Sequence, residues 1–396
     1  MGNISEAAGN PCHELLACCL RGEAWSADLL DRAIALDDGR SLLSIVVERL
    51  GDLFEPRLCE VYAQLFTQVI ARAAPDLNGR VAAQAGRGRP TQARGLAPQC
   101  VYVLSRVTLG ADVAVTSVLL DGAKRRYPDA EIVFVGPRKN FELFESDPRI
   151  RHLAAPYVRG GTLAERLQAS AGLWFDDGIV LDPDSRLSQL GLIAVCPESN
   201  YFLFESRSYG GDGADPLPNL AARWVRQTLG VEGAHPYIAP LSVESAAPDI
   251  TVSLGVGENP AKGLGARFES EFMAMLAATG ASVLVDKGGS DEEHRRVERV
   301  LRPGMGTHDG AFAPFAAQIA RSKLFVGYDS AGGHVASACG IPLISIAAGF
   351  VSDRMLARWR PNGTVIRGDR LNVLGEIRDI LSRVELSSGA SVTGNR

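Results

Sequence analysis

Apolar positions along this chain follow a helical period in one region and a strand–helix alternation in another. Over residues 1–84, Leu42, Ile45, Val46 and Leu50 recur at helical spacing, and so do Leu58, Val61, Leu65 and Val69; Asp52 and Pro56 break the pattern between them. No strand pattern and no catalytic constellation occurs there. The expectation is a small helical bundle that packs on the main body or mediates homo-oligomerisation. Residues 85–98, rich in Gly, Pro and Arg, read as a linker.

After Pro98 strands and helices alternate. Strands are expected at 101–104, 132–135, 179–181 and 192–195, with a helix carrying Val115, Val118, Leu119 and Gly122 that ends near Tyr127-Pro128. A second series starts at 250–254. It continues through a helix carrying Phe268, Phe272, Met275 and Leu276, a strand at 282–285, a charged helix from Asp291 and a helix near 315–320. Strands at 324–328 and 343–346 close it. Such alternation implies parallel sheets covered on both faces. The break at Pro236–Pro248 divides the series into domains at 99–240 and 248–385, two Rossmann-like units facing a cleft; residues 386–396 read as a disordered tail.

Composition narrows the function. The chain of 396 residues has a net charge of −5, so no overall basic field recruits nucleic acid or an anionic membrane. No run reaches transmembrane length, and the N-terminus lacks the basic region and apolar core of a secretory signal. Seven cysteines at spacings that suit neither zinc nor a disulfide framework fit reduced thiols in a cytoplasm.

Four pieces carry candidate chemistry. Asp329-Ser330-Ala331-Gly332-Gly333-His334 lies between a strand and a helix, where small residues admit a ligand to the backbone and helix N–H groups attract anions. Ser105-Arg106-Val107-Thr108-Leu109-Gly110-Ala111-Asp112 follows the first strand of the first series, and Asp112 reads as a helix cap or as a general base. The loop Gly255-Val256-Gly257-Glu258-Asn259-Pro260-Ala261-Lys262 joins glycines to a lysine, as a diphosphate site requires, without being a Walker A loop. Asp286 to Glu293 places carboxylates at a strand end, suited to ribose hydroxyls or to a helix dipole; Glu292 is the ribose candidate.

Together these pieces resemble glycosyltransferase family 9, the heptosyltransferase-like enzymes of the GT-B fold. The segment Asp329 to Ala336 looks like that family's D-[TS]-G-x-x-H-[LV]-A signature. Leu109-Gly110-Ala111-Asp112-Val113 with Thr116, Leu119 and Leu120 is similar to its L-G-D-V…T-P-L-L motif, and Tyr127-Pro128-Asp129-Ala130 to the turn that follows. Asp182, Ser185 and Arg186 resemble a further first-domain motif, and Lys262 matches a donor-diphosphate lysine. Two departures stand out: Ala111 intervenes between Gly110 and Asp112, and Ala331 replaces a glycine. The family's core has no counterpart of residues 1–84.

The resemblance implies an α/β GT-B protein and an inverting, metal-independent glycosyltransferase. Its donor substrate is a nucleotide-diphosphate sugar, ADP-heptose among the candidates, and it has no cofactor. Asp112 is then the general base. Gly257, Lys262, Glu292, Asp329, Ser330, Ala331, Gly332, Gly333 and His334 serve the donor, and Thr108, Gly110 and Arg186 an acceptor that is a glycan, a small molecule or a protein. A GT-B-shaped nucleotide-sugar epimerase or phosphorylase and a non-catalytic scaffold remain alternatives. An NAD-dependent dehydrogenase is disfavoured, because no G-x-G-x-x-G follows the strands at 101 or 250.

Overall fold

Eleven strands in two parallel sheets carry the main body of the described chain, and a layer of helices packs on the first α/β domain. The structure is a computed structural model and describes residues 9–81, 92–93, 95–158, 160–257, 259–350 and 352–383. The tail at 386–396 and most of the linker at 85–98 lie outside the described residues. Within that linker Ala93 is fully buried and donates its N–H to Thr228 O at 2.9 Å, so this part is docked rather than solvated.

The first sheet contains β1 (Cys100–Leu104), β2 (Glu131–Gly136), β3 (Ile150–Ala154), β4 (Ile179–Asp182) and β5 (Tyr201–Leu203), in the order β3-β2-β1-β4-β5. The second contains β6 (Ile250–Ser253), β7 (Val283–Asp286), β8 (Gly306–His308), β9 (Leu324–Tyr328), β10 (Leu343–Ile346) and β11 (Thr364–Ile366), in the order β11-β10-β9-β6-β7-β8. Every residue of β4 and β9 is buried, which is why both read as continuous apolar runs. The strand order reverses between β1 and β4 in one sheet and between β9 and β6 in the other. These are the switch points where open α/β sheets hold ligands; the candidate segments at 105–112, 255–262 and 329–334 follow β1, β6 and β9 and the motif with Ser185 and Arg186 follows β4, whereas 286–293 follows β7.

The two sheets do not face each other across open space throughout. One buried apolar cluster takes Val113, Leu217 and Trp224 from the first domain and Phe315, Phe325 and Val335 from the second. Arg358, fully buried on the helix Asp353–Trp359, ties the domains together by donating to Gly211 O at 2.9 Å and Asp215 O at 3.2 Å.

The N-terminal helices Pro11–Arg21, Ala27–Ala35, Glu48–Asp52 and Pro56–Ala73, with a π-turn at Leu42–Val47, form the predicted bundle. Asp52 ends one helix, and Pro56 opens the next at a position where its missing N–H costs nothing. The apolar faces that suggested oligomerisation are spent within the chain: Leu58, Leu65 and Phe66 share a buried cluster with Leu163, Leu167, Leu192 and Ile193 of the first α/β domain. Arg80 clamps the contact, donating to Ala171 O at 2.7 Å, Leu173 O at 2.5 Å and Ala194 O at 2.7 Å.

One expected strand is absent. Residues 192–195 form a turn with a single antiparallel bridge from Ile193 to Val81. Gln189 and Leu190 take left-handed backbone there, with φ of 50° and 58°, and the run is apolar because it lies under the helical layer. Strands β3, β5, β8 and β11 were not anticipated. Only Ile150 of β3 is buried, as befits a sheet edge, so β3 carries little periodic signal.

Candidate functional site

The loops after β6 and β9 meet at the switch point of the second sheet. Lys262, at the end of the turn Pro260–Lys262, places its Nζ 2.6 Å from Asp329 Oδ2 and 3.2 Å from Asp329 O. Ser330 then enters the helix Ala331–Ala338 in extended backbone with φ −156°, so Ala331 is an ordinary first helical residue and no left-handed glycine is needed in its place. Gly332 is required for packing: a Cβ there would lie 2.6 Å from the Phe325 ring. The Ser330 hydroxyl is buried without a partner. His334 is 8% exposed, and burial pushes its pKa below the ordinary histidine value, so the ring is neutral near pH 7. The chemistry on offer is a cation, a free hydroxyl and helix N–H groups beside a neutral imidazole, a set suited to a diphosphate.

Two other donor candidates stand apart from this group. Gly257 lies in the exposed part of the β6 loop with φ 57°. Glu292 is exposed in the first turn of the helix Asp291–Val300 and forms no hydrogen bond or ion pair with any described residue. Glu293 is the carboxylate that turns inward, accepting from Gly289 N at 3.0 Å. Arg296, one helical turn on, donates to Leu254 O at the end of β6, a placement that no sequence signal announced.

In the first domain the turn after β1 reaches the same region. Gly110 packs directly on the donor turn: a Cβ there would lie 3.0 Å from His334 Cδ2 and 3.4 Å from Ala331 Cα. Thr108 is half-buried and precedes the helical turn Leu109–Ala111. The structure therefore brings Gly110 to the donor turn, with Thr108 two residues before it in the chain. Arg186 is directed elsewhere, 3.3 Å from Glu48 of the helical layer.

Asp112 does not project into an open cleft as expected. It is fully buried, and its two oxygens accept four hydrogen bonds, each of 2.6 Å. Ser105 Oγ and Asn140 Nδ2 donate to Oδ2, and Arg106 N and Thr116 Oγ1 donate to Oδ1. A carboxylate has about four lone-pair sites, and all are occupied here, two of them by the Ser105 and Thr116 hydroxyls. Burial pushes its pKa above the ordinary carboxyl range while the four donors oppose that shift. What Asp112 does here is hold the turn after β1, in which Val107 is forced to φ 61°, a strained value for a β-branched residue. Asp112–Thr116 forms a π-helical turn running into the helix Ser117–Arg126. A π-turn takes up one extra residue in a helix, which accounts physically for Ala111.

The residues that join the two α/β domains to the helical layer were not foreseen. The Trp359 ring stands edge-on to His334, with centroids 5.9 Å apart, and to Phe54 of the helical layer at 6.2 Å. The Arg106 guanidinium lies 5.6 Å from the same ring centroid and donates to Pro183 O at 2.5 Å and Ser206 Oγ at 2.7 Å. A lone tryptophan and a lone phenylalanine give no sequence signal for such a junction.

Solved structures share this architecture. E. coli heptosyltransferase WaaC with ADP aligns at 15% identity over 72% of this chain and 99% of that one, with a TM-score of 0.54. The same protein with ADP-2-deoxy-2-fluoro heptose gives 14% identity, 72% and 99% coverage and a TM-score of 0.53. A family 9 glycosyl transferase from Veillonella parvula gives 17% identity, coverage of 75% and 94%, and a TM-score of 0.52. The fold is GT-B. At such identities the likeness speaks for the fold alone. No protein-family model matches the chain, and no curated protein matches it by sequence. Since 99% of WaaC is covered by 72% of this chain, more than a quarter of this GT-B protein has no counterpart there.

Among the described residues no group of three or more His, Cys, Asp or Glu side chains is placed to hold a metal, and no helix is long and apolar enough to cross a membrane.

Proposed function

We propose that this chain is a glycosyltransferase of the family 9 type, taking a nucleotide-diphosphate sugar on its second domain and transferring the sugar with inversion to an acceptor hydroxyl. The observation that carries this reading is the Lys262–Asp329 pair at 2.6 Å, set beside the start of the helix Ala331–Ala338 and His334. When the bond from the anomeric carbon to the diphosphate breaks, charge builds on the leaving group. Lys262 and the helix N–H groups are fixed where they can stabilise it without reorganising. The fold shared with WaaC, whose structure holds ADP, supports ADP as the first nucleotide to try and a heptose as the first sugar. The proton step is not given to Asp112, whose lone pairs are filled.

Titration calorimetry with ADP, UDP and GDP tests the donor site. Lys262→Gln is expected to weaken the best binder at least tenfold, about 1.4 kcal/mol, while the wild type binds one nucleotide in preference to the others. Equal affinity in wild type and variant removes the assignment of Lys262, and no binding by the wild type removes the reading as a whole.

A further inference from the structure

One side chain of the helical layer enters the core that joins the two α/β domains. Between the helices Glu48–Asp52 and Pro56–Ala73 the chain turns, and Phe54 stands in that turn with φ 55°. Left-handed backbone is unusual for a bulky residue and persists where its surroundings impose it. Neighbouring side chains here go to different cores. Leu53 packs on the helical layer's own cluster. Phe54, 2% exposed, belongs instead to the cluster that holds Val113 and Trp224 of the first domain and Phe315 and Val335 of the second. No other described residue within 9–81 belongs to that cluster.

What Phe54 meets there is Trp359. The two rings stand edge-on, with centroids 6.2 Å apart and planes at 79°. Trp359 meets His334 in the same manner, at 5.9 Å and 69°. Three rings thus run from the helical layer to the donor turn. The middle ring is also gripped from the first domain, since the Arg106 guanidinium, fixed by Pro183 O and Ser206 Oγ, lies 5.6 Å from its centroid. Edge-on pairs are favoured by the charge distribution of the rings, so they set orientation as well as burying area.

His334 depends on such contacts. A buried imidazole usually has its tautomer and tilt set by a hydrogen bond at one nitrogen. The His334 ring makes no hydrogen bond with any described residue, so packing sets its tilt. The packing comes from Trp359 and from Gly110, where a Cβ would lie 3.0 Å from His334 Cδ2. Both ring nitrogens are left uncommitted to any described residue.

We propose that Phe54 is a positioning residue for the donor: acting through Trp359, it holds the His334 ring in the orientation that meets the diphosphate. This rests on the glycosyltransferase reading above. The helical layer then takes part in donor binding without touching the donor. A neutral imidazole donates from a single nitrogen, and a hydrogen bond weakens steeply as its angle falls. A tilt of the ring therefore loses binding without unfolding the protein.

The test is a double-mutant cycle in full-length protein, read by titration calorimetry with ADP, UDP and GDP. Phe54→Leu keeps an apolar side chain in the cluster and removes the ring. It is expected to raise the Kd of the best-bound nucleotide about five- to tenfold when His334 is present. In a His334→Gln background the same replacement should change the Kd by less than about twofold, because its effect travels through His334. Trp359→Leu should show the same pair of responses, and it decides the matter if Phe54→Leu does not fold. Equal losses in the two backgrounds would mean that Phe54 supports the fold rather than His334, and they overturn the assignment. An unchanged Kd in Phe54→Leu, or a His334→Gln protein that binds as wild type does, overturns it as well. Wild type that binds none of the three nucleotides overturns the glycosyltransferase reading itself, an outcome seen before any variant is compared.

Discussion

Replacing Asp112 tests whether a buried carboxylate at this strand end shapes the site or reacts in it. In Asp112→Ala the Ser105 and Thr116 hydroxyls can rotate to other acceptors, but the Arg106 N–H and the Asn140 amide are fixed donors that lose their partner. An unsatisfied buried donor costs about 1–3 kcal/mol, so two cost roughly 2–6 kcal/mol. Relief from burying a charge offsets part of that, and about 2–5 kcal/mol is expected, a large share of a total near 5–15 kcal/mol. Asp112→Asn should cost less. Asn140 Oδ1 is buried without a partner, so turning that amide over offers an acceptor to the new N–H. Because burial raises the folded pKa of Asp112, its contribution is complete below the unfolded carboxyl range and is lost as pH rises through the folded value. The gap between wild type and Asn therefore narrows with rising pH. Urea unfolding gives the free energies, and ADP release from ADP-heptose gives turnover. A loss below about 1 kcal/mol for Ala, or a normally stable Asn variant with turnover down by about 10²–10⁴-fold, refutes the structural role and restores Asp112 as the base.

Two further outcomes follow from the same geometry. Asp249 joins three strands of the second sheet by accepting from Ser282 N and Oγ and pairing with Lys323. Burial, which alone would raise its pKa, is outweighed by these partners, which hold it at about 2. Its contribution is present above the unfolded carboxyl value and lost as pH falls toward 2, so Asp249→Asn should be less stable than wild type at pH 7 and level with it near pH 2; a gap independent of pH in acid denaturation would contradict this. A chain beginning near Leu96 would expose Leu163, Leu167, Leu192 and Ile193, at roughly 1.5–3 kcal/mol each. It should fail to fold cooperatively, and a soluble fragment with an unchanged melting temperature would show that the helical layer is dispensable.

The parts of this protein legible from sequence were those whose signal is local. The central strands β1, β4, β6 and β9 are short apolar runs buried on both faces, and the loops that follow them hold the glycine, lysine, acidic and histidine residues that drew notice. Lys262 and Asp329 meet because β6 and β9 are neighbours. Sheet edges were harder to read: β3 is largely exposed, while 192–195 is apolar for a different reason, its contact with the helical layer. Periodicity reports that a face is buried but not what buries it, so the apolar faces of residues 1–84 fitted a second subunit and the first α/β domain equally well.

Asp112 shows the same limit at the level of a single side chain. By sequence it had a claim to reactivity because it falls in a recognisable motif. Its surroundings are set by the donors its oxygens face, and one of them, Asn140, comes from a distant position. A saturated carboxylate can stiffen a turn, and it has no free lone pair for an incoming hydroxyl while those donors stay in place.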